Sequence, residues 1–265
     1  MKIGIIGVGN LGYSIAVGIL NQKKEIKCQS LYLSKRNTDS IKHLEKLSAV
    51  KVTNDNKRVI KYSNVIIIAV QPAQLKRVLL EIKEVFNPKT HTIISVVTGR
   101  EIKEIESVLG SDASIIRCMP NTAISVGQSM TCISSNKNGL KNIQLAKSIF
   151  NSLGETLCVD EKLMQAATVI CASGIAFWMR LIRATTQGAV QLGFDSEEAQ
   201  KLSMQTCLGA ASLLIDSRSH PEQEIDKVTT PSGCTIEGLN EMEHQGLSSS
   251  LIKGLVVSYE KISQI

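Results

Sequence analysis

Two stretches of the chain hold residues whose types and spacing suit chemistry. Gly7-Val8-Gly9-Asn10-Leu11-Gly12 fits G-x-G-x-x-G, between an apolar run at Lys2–Ile6 and a helical pattern over residues 13–21. Between a strand and a helix that spacing has a mechanism. Gly7 permits a tight turn, Gly9 lets a pyrophosphate approach the backbone, and Gly12 lets helix and strand pack. The helix start, with Asn10 and Leu11, turns N–H groups and a positive dipole end towards the phosphates. The second stretch is Thr229-Thr230-Pro231-Ser232-Gly233-Cys234-Thr235, just before a helical pattern with Glu237 in its first turn. A helix cap explains one Thr or Ser there, but not the cluster. A Ser-Gly bend into a helix start gathers N–H groups around one point, a seat for a carboxylate, and nearby hydroxyls can reach a polar atom beside it.

Other residues extend the nucleotide reading. The second strand ends Leu33-Ser34-Lys35-Arg36-Asn37, where an NAD enzyme usually carries an acid for the ribose 2′-hydroxyl. A hydroxyl and cations suit a 2′-phosphate instead, with Arg36 clamping and Ser34 donating. NADP(H) is therefore expected over NAD(H), which stays possible; a solvated basic loop is the plainer alternative. Asn56 is placed to close over the adenosine. Ala69-Val70-Gln71-Pro72 and Met119-Pro120-Asn121-Thr122 each follow a strand. Ligands of open α/β sheets lie beyond such strand ends, so both loops can border the ribose and nicotinamide, or be ordinary proline turns.

The elements that must position these residues alternate in the first half. Strand patterns fall at residues 30–33, 65–70, 92–97 and 114–118, with helical patterns at 40–47, 73–85 and 102–109. A strand at 126–133 and a helix at 140–153 complete the unit. This predicts an α/β fold, a doubly wound parallel sheet over residues 1–158. Residues 159–265 read as helical: 160–191 as one long helix or a pair broken near Ser173-Gly174, then 195–217 capped by Asp195, 221–227, 235–244 and 249–262. The small residues of 166–174 suit a tight core or a subunit interface.

Composition bounds the partners. The 265 residues are 43% hydrophobic and 3% aromatic, with a formal charge of +6 scattered among acids. That argues against nucleic acid and suits an anionic cofactor or substrate. Seven cysteines without a C-x-x-C pair point to reduced thiols and a cytoplasmic protein. Four distant histidines show no metal-ligand spacing. No leader is expected, and no apolar run approaches the roughly 20 residues of a membrane span.

The chain resembles the Δ1-pyrroline-5-carboxylate reductase family. Val228-Thr229-Thr230-Pro231-Ser232-Gly233-Cys234-Thr235 is similar to that family's VTSPGGTT, and Arg117-Cys118-Met119-Pro120-Asn121-Thr122 to RxMPNTP. Ala69–Pro72, Glu161-Lys162-Leu163-Met164 and Ser173-Gly174-Ile175-Ala176-Phe177 extend the likeness, in order, over essentially the whole chain. The resemblance implies an N-terminal Rossmann domain, a helical dimerisation domain, and an active site between the domains to which both subunits contribute. It implies NAD(P)H-dependent reduction of a cyclic imino acid. Thr235 then holds the ring nitrogen, Gly233, Cys234 and Thr235 bind the carboxylate through their backbone, and Thr230 lines the pocket. Gln71, Ile175, Phe177, Arg183, Ser232 and Cys234 depart from the family pattern and leave room for another cyclic imine. A protonated imine is already electrophilic, so the absence of an evident acid–base pair fits this chemistry. A β-hydroxyacid dehydrogenase of the same plan would use a lysine on the long helix, and none lies between Leu163 and Gly193. A non-catalytic nucleotide-binding relative is the third reading.

Overall fold

The computed structural model describes residues 1–262 and 264; the other two, at the end of the expected 159–265 domain, lie outside the described residues. Eight strands form one sheet: β1 (Lys2–Ile6), β2 (Ser30–Ser34), β3 (Val50–Thr53), β4 (Val65–Ile68), β5 (Thr92–Ser95), β6 (Ser114–Met119), β7 (Ser129–Ser135) and β8 (Gly154–Cys158). Their order is β3-β2-β1-β4-β5-β6-β7-β8.

Helices cover both faces, as the branched run of β4 requires. Ile66 and Ile68 face one core, with Val59 and Ile60 of α2 (Asn56–Tyr62) and Leu75, Val78 and Leu79 of α3 (Leu75–Ile82). Ile105 of α4 (Ile102–Leu109) joins them. Val65 and Ile67 face the other core, with Ile15 and Ile19 of α1 (Asn10–Asn21) and Ile149 and Phe150 of α5 (Ile143–Asn151). Each such side chain, taken from water, contributes on the order of 2 kcal/mol.

The sheet is the expected doubly wound, mostly parallel one, with one antiparallel pairing. β7 runs antiparallel to β6, and β8 pairs parallel with β7. The link from β6 to β7 holds only a 3₁₀ turn, Thr122–Val126, closed by a left-handed Gly127. That is shorter than the dozen or so residues a parallel crossover needs. β8 was not expected as a strand: it is an edge strand, exposed at alternate positions, starting at a glycine pressed against the Ser129 backbone. Residues 40–47, expected as an α-helix, form a 3₁₀ helix, Asp39–Lys46, which buries Ile41 and Leu44 three apart.

The chain divides into two compact units, Met1–Ser173 together with residues from Tyr259 onward, and Gly174–Ser258. Entry to the helical half is irregular: a 3₁₀ turn at Glu161–Leu163, α6 (Met164–Ala167), a π turn at Thr168–Ser173, then α7 (Gly174–Gln191). Together, Glu161–Gln191 is long and apolar enough to cross a membrane by length and composition, with a mean hydropathy of 1.4 over its most apolar 18 residues. Length and composition alone qualify this segment, in which small and polar residues such as Thr168, Ser173 and Gly174 interrupt the apolar ones.

The second unit continues with α8 (Ser196–Ser217), α9 (Pro221–Lys227), α10 (Cys234–His244) and α11 (Leu247–Ile262). Asp195 caps α8 by accepting the N–H groups of Glu197 and Glu198. Trp178, Met179, Leu208, Leu213 and Ile215 are all more than half exposed. Apolar exposure on that scale marks a face that another surface covers.

Candidate cofactor cleft and helix-start loop

The glycine turn is held from below. The N–H groups of Gly7 and Val8 both donate to the Ser34 carbonyl, at 3.0 and 3.1 Å, which ties the ends of β1 and β2 together. Gly7 sits at φ +94°, a conformation side chains rarely adopt. A Cβ at Gly12 would run into the Gly7 carbonyl, whereas one at Gly9 would meet nothing within 4 Å. Gly12 is thus required by packing, and Gly9 leaves open space above the backbone. Gly9 is also the N-cap of α1 and brings no capping side chain to its first N–H groups. An open cradle at a bare helix start fits a dinucleotide pyrophosphate.

A cavity of about 300 Å³ opens over the ends of β1, β2 and β4. Gly7, Gly9, Ser34, Arg36, Asn56, Ala69, Val70 and Gln71 all line it. Asn10, Leu11, Gly12, Pro72, Met119 and Asn121 do not. Pro72 begins a 3₁₀ turn, Pro72–Gln74, and Met119 is buried against Cys132 and Met164. The Asn121 side chain is engaged by its own loop, accepting the Ala123 N–H at 2.9 Å and donating to the Cys171 carbonyl at 2.9 Å.

Ser34 is buried and donates to Asn56 Oδ1. Asn56 Nδ2 donates in turn to Glu81 Oε2 at 3.0 Å. Asn56 opens α2, whose cap Asp55 accepts the N–H groups of Lys57 and Arg58. The further polar residues that line the cavity are Lys35, Asn54, Gln74 and Arg77. Arg77 was not singled out from the sequence because it lies inside a helix, away from any glycine or turn signal. Its spacing of four from Glu81 was the available hint, since it puts both on one helical face. Arg36, Lys35 and Arg77 make the cavity mouth cationic.

The second stretch lies in the other compact unit. The Gly233 N–H donates to the Thr230 carbonyl at 3.0 Å, closing a turn with Pro231 second and Ser232 third. Ser232 has φ +58°, the left-handed position that glycine or asparagine usually fills in a turn with proline at its second place. Gly233 is the N-cap of α10, and a Cβ there would run into Thr230 Oγ1. No side chain caps α10, so its first N–H groups, at Cys234 and Thr235, stand at a bare helix start. The Thr229 hydroxyl is turned away, donating to the Ile225 carbonyl at 2.7 Å.

A glycine-turn cleft at the strand ends of a doubly wound sheet, followed by a helical second half, defines a two-part dinucleotide-binding oxidoreductase of Rossmann type. A family model for pyrroline-5-carboxylate reductase dimerisation matches residues 161–265, and one for NADP oxidoreductase, coenzyme F420-dependent, matches residues 2–99. The chain belongs to the pyrroline-5-carboxylate reductase family. It is 43% identical to pyrroline-5-carboxylate reductase 2 of Dictyostelium discoideum, over 99% of this chain and 92% of that protein. It is 42% identical to pyrroline-5-carboxylate reductase 1 of the same organism, over 99% of this chain but only 49% of that longer protein. The pyrroline carboxylate reductase of Plasmodium falciparum, solved with NADP bound, shares 26% identity and a TM-score of 0.90, covering 100% of this chain and 97% of that one.

Proposed function

We infer that this chain reduces 1-pyrroline-5-carboxylate to L-proline with NADPH as hydride donor, the closing step of proline biosynthesis. The carrying observation is the presence, in one member of this family, of a cationic nucleotide cleft and a bare, hydroxyl-rich helix start. Bound NADPH supplies the hydride. The chain's own residues orient: Gly7, Gly9 and the Asn10 and Leu11 backbone cradle the pyrophosphate, with Gly12 packing the helix behind them. Arg36, with Ser34 and Asn56 beside it, meets the 2′-phosphate. The 69–72 segment borders the ribose, with Met119 and Asn121 supporting the nicotinamide end. The backbone N–H groups of Gly233, Cys234 and Thr235 hold the substrate carboxylate, Thr230 lines that pocket, and the Thr235 hydroxyl holds the imine nitrogen and the developing amine. A protonated imine is already electrophilic, so positioning supplies the catalysis and no strong acid or base is needed from the protein.

The working form is a homodimer in the cytoplasm. The exposed apolar face of the helical unit and the dimerisation-family match support self-association. The seven free cysteines support a reducing compartment.

The purified chain should oxidise NADPH in the presence of pyrroline-5-carboxylate and form proline in equal amount, with NADH a poorer donor. No proline formation with either cofactor, from protein that sediments as a folded dimer, would refute the reading.

A further inference from the structure

The sulfurs of Cys132 and Cys171 meet at 3.9 Å. Cys132 is buried on β7, directly across the ladder from Met119 of β6. Cys171 is partly buried, more open than Cys132, in the π turn Thr168–Ser173. Extra residues in a π turn shift side chains around the helix. Around the two sulfurs pack Met119, Met164 and Ala167. The carbonyl of Cys171 accepts Asn121 Nδ2, so the pair brackets the turn that follows β6 on both sides.

The two thiols are unequal. The hydrogen bond from Cys132 favours the Cys171 thiolate and lowers its pKa, against the effect of burial. The same bond, with burial, pushes the Cys132 thiol up. A less buried sulfur with thiolate character beside a buried thiol is the arrangement of an attacking and a resolving cysteine.

We propose that Cys132 and Cys171 form a hydroperoxide-responsive dithiol, in which Cys171 is oxidised first, Cys132 closes an internal disulfide, and the Met119–Asn121 turn is displaced. The Cys171 thiolate attacks one oxygen of hydrogen peroxide and the O–O bond breaks. This gives a Cys171 sulfenic acid and, after protonation, one water. The Cys132 sulfur then attacks the sulfenic sulfur, losing its proton as the S–O bond breaks and a second water leaves. Two thiols are oxidised by two electrons and one peroxide is reduced to two waters. Closing the sulfurs from 3.9 Å to about 2.05 Å draws the π turn towards β7, and the Cys171 carbonyl carries Asn121 with it.

The full chain is treated with a small excess of hydrogen peroxide, then denatured, alkylated and mapped. Two of the seven thiols should resist alkylation, in one dithiothreitol-reversible cross-linked peptide joining Cys132 to Cys171. Seven alkylated thiols, or a different pair, overturns the site. In Cys132→Ser the Cys171 sulfenic acid should persist and be captured by dimedone, whereas Cys171→Ser should keep Cys132 unoxidised. Oxidation of Cys132 in Cys171→Ser at the parent rate overturns the assigned order. Mapping of the parent needs no variant to fold. Amide exchange at Ala123, whose N–H is held by Asn121, should quicken at least about threefold in the oxidised protein and return on reduction. Unchanged exchange in disulfide-bonded protein overturns the coupling. None of these readouts depends on which imine the protein reduces.

Discussion

Arg117 Nη1 lies 3.2 Å from Glu161 Oε1, and the same oxygen accepts the Ile102 N–H at 2.7 Å. One carboxylate therefore pins three elements: β6, the start of α4 and the entry to the helical rod. Arg117 is only 4% exposed, and its Nε has no partner among the described residues, so Glu161 is the charge that makes burying this guanidinium tolerable. Both residues stood in family-like segments of the sequence, 44 positions apart, and the structure supplies the reason for them.

Glu161→Ala should lower stability by about 2–3 kcal/mol. Breaking a buried pair costs roughly 3–5 kcal/mol, and solvent reaching Glu161, whose side chain is 33% exposed, brings that down. Glu161→Gln keeps an acceptor for Ile102 and should fall between. Urea unfolding midpoints check this, and an unshifted midpoint for the alanine variant would show the pair to be idle.

Gly9 and Gly12 should fail in different ways. Gly9→Ala has room and should unfold at the parent's urea midpoint, yet bind NADPH at least about tenfold more weakly, because the new methyl occupies the pyrophosphate seat. Gly12→Ala drives a methyl into the Gly7 carbonyl and should lose about 1–3 kcal/mol of stability. Unfolding curves and NADPH titrations of the two variants separate these roles.

Arg36→Ala and Arg77→Ala should each raise the KM for NADPH while leaving that for NADH within about twofold. A lost charge-assisted bond costs about 1.5–3 kcal/mol, roughly ten- to a hundred-fold in affinity. Equal effects on both cofactors would remove the 2′-phosphate from the cationic mouth of the cleft.

Thr235→Ala should slow pyrroline-5-carboxylate reduction by about ten- to a hundred-fold at saturating NADPH, with NADPH affinity unchanged. Thr235→Ser keeps the hydroxyl and should retain much of the rate. Parent-like turnover in the alanine variant would leave the threonine as part of a helix start only.

His91 should make stability depend on pH just below neutrality. Burial lowers its pKa from the usual 6.5, and its Nδ1 accepts the Asn87 N–H at 3.0 Å, which a protonated nitrogen cannot do. Below about pH 6.5 the unfolded chain binds this proton before the folded one does, so stability is complete above that pH. It falls as the pH drops towards the lowered folded pKa. His91→Gln should flatten that part of the curve in urea titrations between pH 7.5 and 5; an unchanged slope would assign it to other groups.

By itself the sequence determined what short-range physics controls. The glycine turn is legible because strand, turn and helix follow one another within a dozen residues, and each glycine answers to its immediate neighbours. The branched run of β4 dictates burial on both faces, and Asp195 marks a helix start through its own next N–H groups. The reversal of β7, the edge strand β8, Arg77 at the cofactor cavity, the Arg117–Glu161 clasp and the Cys132–Cys171 contact were decided only in the tertiary structure. Each depends on which surfaces meet when helices and strands pack. Residues 39 or 44 positions apart carry no local signal of one another; an irregular π turn or a short antiparallel link brings them together, and periodicity is blind to both.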